Sequence, residues 1–350
     1  GRGQGPPLFL RFPDRSRSAD ASPFRMWDQN WMSMRSYLDF EKPVAELEAK
    51  ADELRALDAK GDGYSLTEEI GKLEAKAGQS LKELYGALTP WQKTLVARHP
   101  QRPHFLDYCS GLIDEFTPLA GDRAFGEDEA IVGGFGRFRG EPVCVIGQEK
   151  GNSTETRIRH NFGMPRPEGY RKAVRLMELA DRFGLPVLSF IDTAGAYPGI
   201  EAEERGQAEA IARSTETCLA LRTPSVALVI GEGGSGGAIA IAAASKVLMM
   251  EHAIYSVISP EGAASILWRD TARAQDAATG MKITAQDLLK FGIIDKIVSE
   301  PTGGAHREPQ LAIERAGAAI AAALSDLSGL SADEIVERRA DKYLAIGRSL

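Results

Sequence analysis

Cysteine is scarce in this chain, and its three residues are poorly placed for chemistry. Cys109, Cys144 and Cys218 stand far apart and odd in number, which excludes a paired zinc pattern and a disulfide framework and suits a reducing cytoplasm. Histidine is also rare, with five in 350 residues, so an imidazole-based site has little to draw on. Positive charge is not in excess. The formal net charge of −7 argues against broad nucleic-acid binding, though not against a local basic patch. Charges or glycines interrupt every apolar run before it reaches membrane-span length. The first residues have the wrong order of charge and apolarity for a secretory signal. No G-x-x-x-x-G-K-[ST] loop occurs, so the GTPase-like Asp192-Thr193-Ala194-Gly195 does not mark a nucleotide hydrolase.

A hydrophobic content of 43% is enough for one large core or two smaller ones. Residues 1–33 mix Gly, Pro, Ser and Arg (Gly5-Pro6-Pro7, Arg15-Ser16-Arg17-Ser18) without periodicity. They are expected to be disordered and foreign to the native protein, with Met26, Met32 and Met34 just ahead of the organised part. Residues 34–88 form an amphipathic helical region. Leu47, Ala51, Leu54 and Leu57 fall at helical spacing, Gly61-Asp62-Gly63 breaks the helix, and Ser65 with Glu68 reads as a capping box. The second helix carries Ile70, Leu73, Ala77, Leu81 and Leu84, giving a helical hairpin.

The main domain is expected over 89–327, with a helical tail at 328–350. Ala130–Phe138 and Glu141–Gly147 predict a β-hairpin around Arg139-Gly140. Strand and helix then alternate: a strand at Val187–Ile191, a helix at Glu201–Arg222, and strands at Ser225–Ile230, Lys246–Met250 and Ile254–Ile258. A helix from Ser259-Pro260-Glu261 to Trp268, a strand at Ile293–Val298 and a helix at Pro309–Leu327 complete the pattern. Such alternation implies an α/β fold with a parallel sheet.

The most informative stretch is the turn after Ser225–Ile230, where five of the seven residues from Gly231 to Gly237 are glycine. Glycine is costly in ordered structure, so the main chain here must approach something closely. An alanine-rich helix follows at once, and the free N–H groups of a helix start favour an oxyanion or a phosphate. Gly231-x-Gly233-x-x-Gly236 spells a dinucleotide fingerprint with Glu251 as ribose acid, but its helix is short for that crossover. Gly233-Gly234-Ser235-Gly236-Gly237 spells a nucleophile elbow. That makes a serine hydrolase with Ser235 as nucleophile the alternative reading, although only His252 and His306 lie downstream. The third reading pairs this turn with Asp192–Gly199. Both end consecutive strands, so both should lie at one sheet edge and offer backbone donors to one developing oxyanion.

Asp192–Gly199, Gly231–Ala238, Asn161-Phe162-Gly163-Met164-Pro165 with Pro167–Ala173, and Tyr255–Gly262 together resemble the carboxyltransferase α-subunit family of bacterial acetyl-CoA carboxylase. Tyr37–Pro43 and Ala97–Pro103 resemble that family as well, so the likeness runs from Met34 to about Leu350. It implies a crotonase-like α/β fold, a ββα superhelix preceded by the helical hairpin. It also implies transfer of a carboxyl group from carboxybiotin, held on a biotin carboxyl carrier protein, to acetyl-CoA, giving malonyl-CoA for fatty acid synthesis. No cofactor is bound covalently and no metal is implied for this chain. The implied partners are a homologous β subunit in an α2β2 assembly, the carrier, and biotin carboxylase in the whole complex.

By the same resemblance, the amides of Gly236 and Gly237 form the oxyanion hole for the biotin ureido oxygen. Gly233, Gly234 and Ser235 shape the turn, and Gly195, Ala196 and Tyr197 line the adjoining wall. Ala194 departs from the proline usual in the family, which loosens that turn without altering the chemistry. A basic group of Lys150, Arg157, Arg159, His160, Arg166, Arg171 and Lys172 either meets CoA phosphates or carrier, or is a solvated face. Arg157 and Arg159 are its candidate substrate contacts.

Overall fold

The apolar runs assemble into one eight-stranded mixed sheet in a computed structural model that describes residues 35–59 and 66–348. The expected disorder of 1–33, the Gly61-Asp62-Gly63 break and the Ser65 cap lie outside the described residues. The strands are β1 (Ile113–Pro118), β2 (Ile131–Phe138), β3 (Glu141–Gln148), β4 (Val187–Thr193), β5 (Ser225–Gly234), β6 (Lys246–Met250), β7 (Ile254–Ser256) and β8 (Lys296–Val298). Their order is β1-β2-β3-β4-β5-β6-β8, with β7 pairing beyond β6 on the end of β5. β1, β2 and β3 are antiparallel neighbours, and every later pairing is parallel. The sheet is therefore mixed, because the β2–β3 hairpin adds an antiparallel edge. Phe138 faces Glu141 across Arg139 and Gly140, whose φ values of 51° and 87° give the left-handed two-residue turn that suits strand twist.

β4 and β5 are buried at every position, which explains why they read as unbroken apolar runs. Among the described residues, fourteen α-helices surround the sheet: α1 (Lys42–Asp58), α2 (Thr67–Gly86), α3 (Pro90–Ala97), α4 (Phe105–Leu112), α5 (Thr154–Arg159), α6 (Pro167–Phe183) and α7 (Ile200–Glu204) precede β5 with α8 (Gln207–Ala220). The rest are α9 (Ser235–Ala242), α10 (Pro260–Trp268), α11 (Ala274–Met281), α12 (Ala285–Lys290), α13 (Pro309–Asp326) and α14 (Ala332–Ala345). None of the described helices is long and apolar enough to cross a membrane. α1 and α2 form the N-terminal hairpin, joined by the Arg55–Glu74 ion pair. α6 starts with Pro167 and stops at the left-handed Gly184, and it buries Tyr170, Ala173, Leu176, Met177 and Ala180 in the main core.

Several expected elements differ: β5 runs on past Ile230 to Gly234, and the strand expected from Ile293 begins at Lys296. The single helix over Glu201–Arg222 is broken into α7 and α8 at Gly206, whose φ of 81° is left-handed. There Arg205 turns back to bond Glu168 at 2.7 Å. The strand expected to reach Ile258 stops at Ser256, whose hydroxyl donates to the Ile258 carbonyl before Ser259 caps α10.

α14 docks through Arg339, with Lys342 paired to Asp295 and the Tyr343 hydroxyl donating to the Ala244 carbonyl beside it. Arg339 is 1% exposed and has no carboxylate partner among the described residues. It donates to the carbonyls of Leu219 (3.0 Å), Leu221 (2.6 Å) and Thr223 (3.2 Å) and to the Ser245 hydroxyl (2.8 Å). The cation thus sits at the carbonyl end of α8, where the helix dipole favours it. Arg339→Ala is expected to cost about 3 kcal/mol in a urea titration, because it strands several buried acceptors. A loss below about 1 kcal/mol would show that this contact does not hold the tail.

Candidate active site

The site is made where β4 and β5 end. The two strands run in register from Val187 opposite Ser225 to Ile191 opposite Val229. Two extra residues in β5 then shift the register, so that Thr193 faces Gly233. This displacement presses the glycine turn against the Asp192–Gly199 turn.

A Cβ on Gly234 would lie 2.2 Å from the Ala194 carbonyl oxygen. One on Gly237 would lie 2.6 Å from both the Ala196 nitrogen and the Gly195 carbonyl carbon, and one on Gly231 would lie 2.5 Å from Asp192 Oδ1. Gly233 has the Tyr255 ring at 2.9 Å, whereas Gly236 has only ordinary contact with Ile211, at 3.4 Å. The glycine density therefore has its first cause inside the chain. What the backbone approaches so closely is the neighbouring turn.

That approach adjoins the start of a helix. Gly234 is the N-cap of α9 and no side chain caps the helix, so Ser235, Gly236 and Gly237 supply its first amides. Ser235 is exposed, Gly236 half-buried and Gly237 buried. On the opposite wall, the Gly195 amide donates to Thr193 Oγ1 (3.0 Å) and the Tyr197 amide to the Pro165 carbonyl (3.0 Å). Gly195 and Tyr197 thus shape the wall instead of donating to a ligand, while Ala196 lies half-buried beside Gly237. The Arg166 guanidinium stacks over the Tyr197 ring at 4.7 Å.

A charged network beneath the turns has little signature in the sequence. Asp192 Oδ1 accepts from Lys150 Nζ (2.7 Å) and from the Glu232 amide (3.0 Å), and Oδ2 faces His104 Nδ1 at 3.2 Å. Burial alone would raise the Asp192 pKa, but the Lys150 and His104 charges override it and hold this carboxyl well below its usual range. His104 is the reverse: burial would lower its pKa, yet the bond and charge of Asp192 raise it. Glu232 bonds Arg98 (2.6 Å), which also reaches Glu261 (2.6 Å). These carboxylates are locked to cations, so they brace the turns. The network's members are scattered along the sequence, with Asp192, Arg98, Glu232 and Glu261 in four separate segments and Lys150 in the basic group.

The basic group divides. Lys150 belongs to the network just described, Lys172 is buried against Glu127 and the Asp128 carbonyl, and Arg171 is paired with Asp122 and Glu168. None of these three is available to a phosphate. Arg157 and Arg159 lie in the last turn of α5, outside the pair of turns. Arg157 Nε reaches the Gly151 carbonyl at 3.4 Å, and Arg159, exposed, pairs with Glu129.

The competing motifs fail on geometry. Ser235 does sit at a left-handed φ of 55°, as a nucleophile elbow would. However, His306 is stacked on His99 at 3.8 Å and His252 packs edge-on against Tyr85, and neither bonds Ser235. Glu251, the supposed ribose acid, instead accepts the Glu300 amide at 3.0 Å.

The α/β sheet, the two interlocked backbone turns and the uncapped helix start fit a crotonase-like fold. The chain belongs to the acetyl co-enzyme A carboxylase carboxyltransferase-like family, whose pattern matches residues 37–347. It is 77% identical over 317 residues to the acetyl-coenzyme A carboxylase carboxyl transferase subunit alpha of Methylobacterium nodulans, a match covering 91% of this chain and 100% of that protein. The subunit of the same name from Xanthobacter autotrophicus is 76% identical over the same length and shares.

Among solved structures, the β subunit of geranyl-CoA carboxylase from P. aeruginosa superposes with a TM-score of 0.50 at 17% identity, covering 71% of this chain and 46% of that one. A Pseudomonas malonate decarboxylase heterodimer gives 0.50 at 15% identity, covering 61% and 88%. These two likenesses carry the fold alone. The serine hydrolase alternative finds no support in any of these relatives.

Proposed function

We propose that this chain is the biotin-facing half of a two-subunit carboxyltransferase that makes malonyl-CoA from acetyl-CoA. The observation that carries the reading is the uncapped α9 start held against the Asp192–Gly199 turn, in a chain of this family. In the reaction, the N–CO2 bond of carboxybiotin breaks, the ureido group keeps the electron pair, and the acetyl methyl loses its proton to biotin and bonds CO2. The protein need not move a proton, and the locked carboxylates beneath the turns fit that economy.

What the chain supplies is charge stabilisation. The Gly236 and Gly237 amides hold the ureido oxygen as negative charge builds on it, while Gly233, Gly234 and Ser235 set the turn. Gly195, Ala196 and Tyr197 close the wall and exclude water. Backbone donors of this kind act without reorganising, and removal of one from such a hole costs about 10²–10³ in rate. A homologous β subunit supplies the CoA-facing half, in an α2β2 assembly served by a biotin carboxyl carrier protein and biotin carboxylase in the cytoplasm.

The test is to co-purify the chain with its β partner and assay biotin-dependent malonyl-CoA formation. The reading predicts activity in the complex and none in the isolated chain, and an inactive complex would overturn it. In that assay, Arg157→Ala with Arg159→Ala is expected to raise KM for acetyl-CoA or carrier about three- to tenfold at unchanged fold, an effect of about 1 kcal/mol. Unchanged kinetics would make both arginines surface charge.

A further inference from the structure

We infer that Gln148 is a positioning residue for the transfer reaction, a single buried amide that fixes the first turn to the start of α9. The inference rests on the function proposed above. Gln148 ends β3 and is fully buried. Its Oε1 accepts from the Asp192 amide at 3.1 Å, and its Nε2 donates to the Gly237 carbonyl at 2.7 Å. Asp192 opens one turn and Gly237 belongs to the other, so this side chain spans the site from below.

The two ends of the amide are not interchangeable. A flipped amide would set NH2 against the Asp192 N–H and oxygen against the Gly237 oxygen, so the bonds define one orientation. Both functions are needed, at this length. Methionine has neither, and ionised glutamate keeps only the acceptor. Because the groups are shielded from water, no solvent contact replaces either bond once it is lost.

The consequence is geometric. The Gly237 carbonyl fixes how residue 237 is turned, and so where the first amides of α9 aim. A second tie, from the Asp192 carboxylate to the Glu232 amide, fixes the first turn to the end of β5. Asp192 is thus bonded through its backbone to Gln148 and through its side chain to β5, which closes a triangle of β3, β4 and β5–α9. Strand pairing alone sets the turns only to within the slack of its shifted register. The two side-chain ties set the remaining distance.

The experiment uses the complex with its β partner and runs transfer in reverse, from malonyl-CoA to free biotin. Gln148→Met and Gln148→Glu are both made, the first without charge and the second near-isosteric. The expected result is a fall in kcat of tenfold or more in each, with KM for malonyl-CoA within twofold of wild type. Glu keeps one bond but sets a charged oxygen against the Gly237 carbonyl, so it should lose at least as much as Met. A kcat within twofold of wild type in either folded variant would overturn the inference and leave the proposed function standing. A rise in KM at constant kcat would do the same. Failure of both variants to assemble would show the amide to be merely structural and overturn it too. An inactive wild-type complex would remove the underlying reading, and this inference with it.

Discussion

Gly237→Ala is expected to lower kcat for carboxyl transfer by about 10²–10³ while the subunits still assemble. The new Cβ would stand 2.6 Å from the Ala196 nitrogen and the Gly195 carbonyl carbon. Both are backbone atoms of a turn that is itself pinned by Thr193 and Pro165, so neither yields as a flexible side chain would. The helix start must move away instead. A displacement on the order of 1 Å at a site that works by alignment costs about a hundredfold, even far from the reacting atoms. Gly71→Ala or Gly78→Ala is the control. Each lies in α2 with nothing within 4 Å of the added carbon. Either should stabilise its helix by up to about 1 kcal/mol and leave kcat alone. Steady-state kinetics beside thermal melts separate the cases, and wild-type kcat in Gly237→Ala would refute the claim that the close approach matters.

Loss of the Arg102–Glu300 pair should have the largest effect on stability. Both side chains are buried, with Arg102 Nη2 and Nη1 bonding the two Glu300 oxygens at 2.5 and 2.7 Å. Glu300 also accepts the amides of His252 (2.9 Å) and Ala305 (2.7 Å), while Arg102 Nε donates to the Ile230 carbonyl at 2.7 Å. One ion pair thus joins the segment before α4, the middle of β5, the β6–β7 turn and the segment after β8. Glu300→Ala leaves a buried guanidinium without a counter-charge, and a loss of about 3–5 kcal/mol is expected from the denaturation midpoint.

The pH dependence of that stability has a defined sign. Burial would raise the Glu300 pKa, but Arg102 overrides it and holds it at about 2, against an ordinary value of 4.5. A carboxylate with a depressed folded pKa contributes fully above its unfolded pKa, and that contribution is lost as pH falls from about 4.5 through about 2. Wild type should therefore lose stability over that window more steeply than Glu300→Ala. A loss below about 1 kcal/mol, or parallel pH curves, would contradict this account.

Local patterns are legible in the sequence wherever neighbours along the chain decide the outcome. The Arg139-Gly140 hairpin needs only its own turn, and β4 and β5 announce their burial through unbroken apolar runs. The juxtaposition of two glycine-bearing turns follows from their positions after consecutive strands. Its tightness does not, because the register shift between Ile191 and Thr193 is set by pairing across the sheet. The break at Gly206 is hidden inside a helical pattern, since its cause is a return contact from Arg205 to Glu168 on another helix. Gln148, His104 and Lys150 are illegible as a group for the same reason. They are 44, 88 and 42 residues from Asp192, and only the folded sheet gathers them. The basic group misleads in the opposite sense, because sequence cannot show that Lys172 is already satisfied by Glu127.

A structure of the α–β complex with biotin bound would test the central claim most directly, by locating the ureido oxygen. Backbone stabilisation predicts the amide nitrogens of Gly236 and Gly237 at hydrogen-bond distance from it, about 2.7–3.2 Å. A ureido oxygen held instead by a side chain, or seated away from the start of α9, would contradict the account.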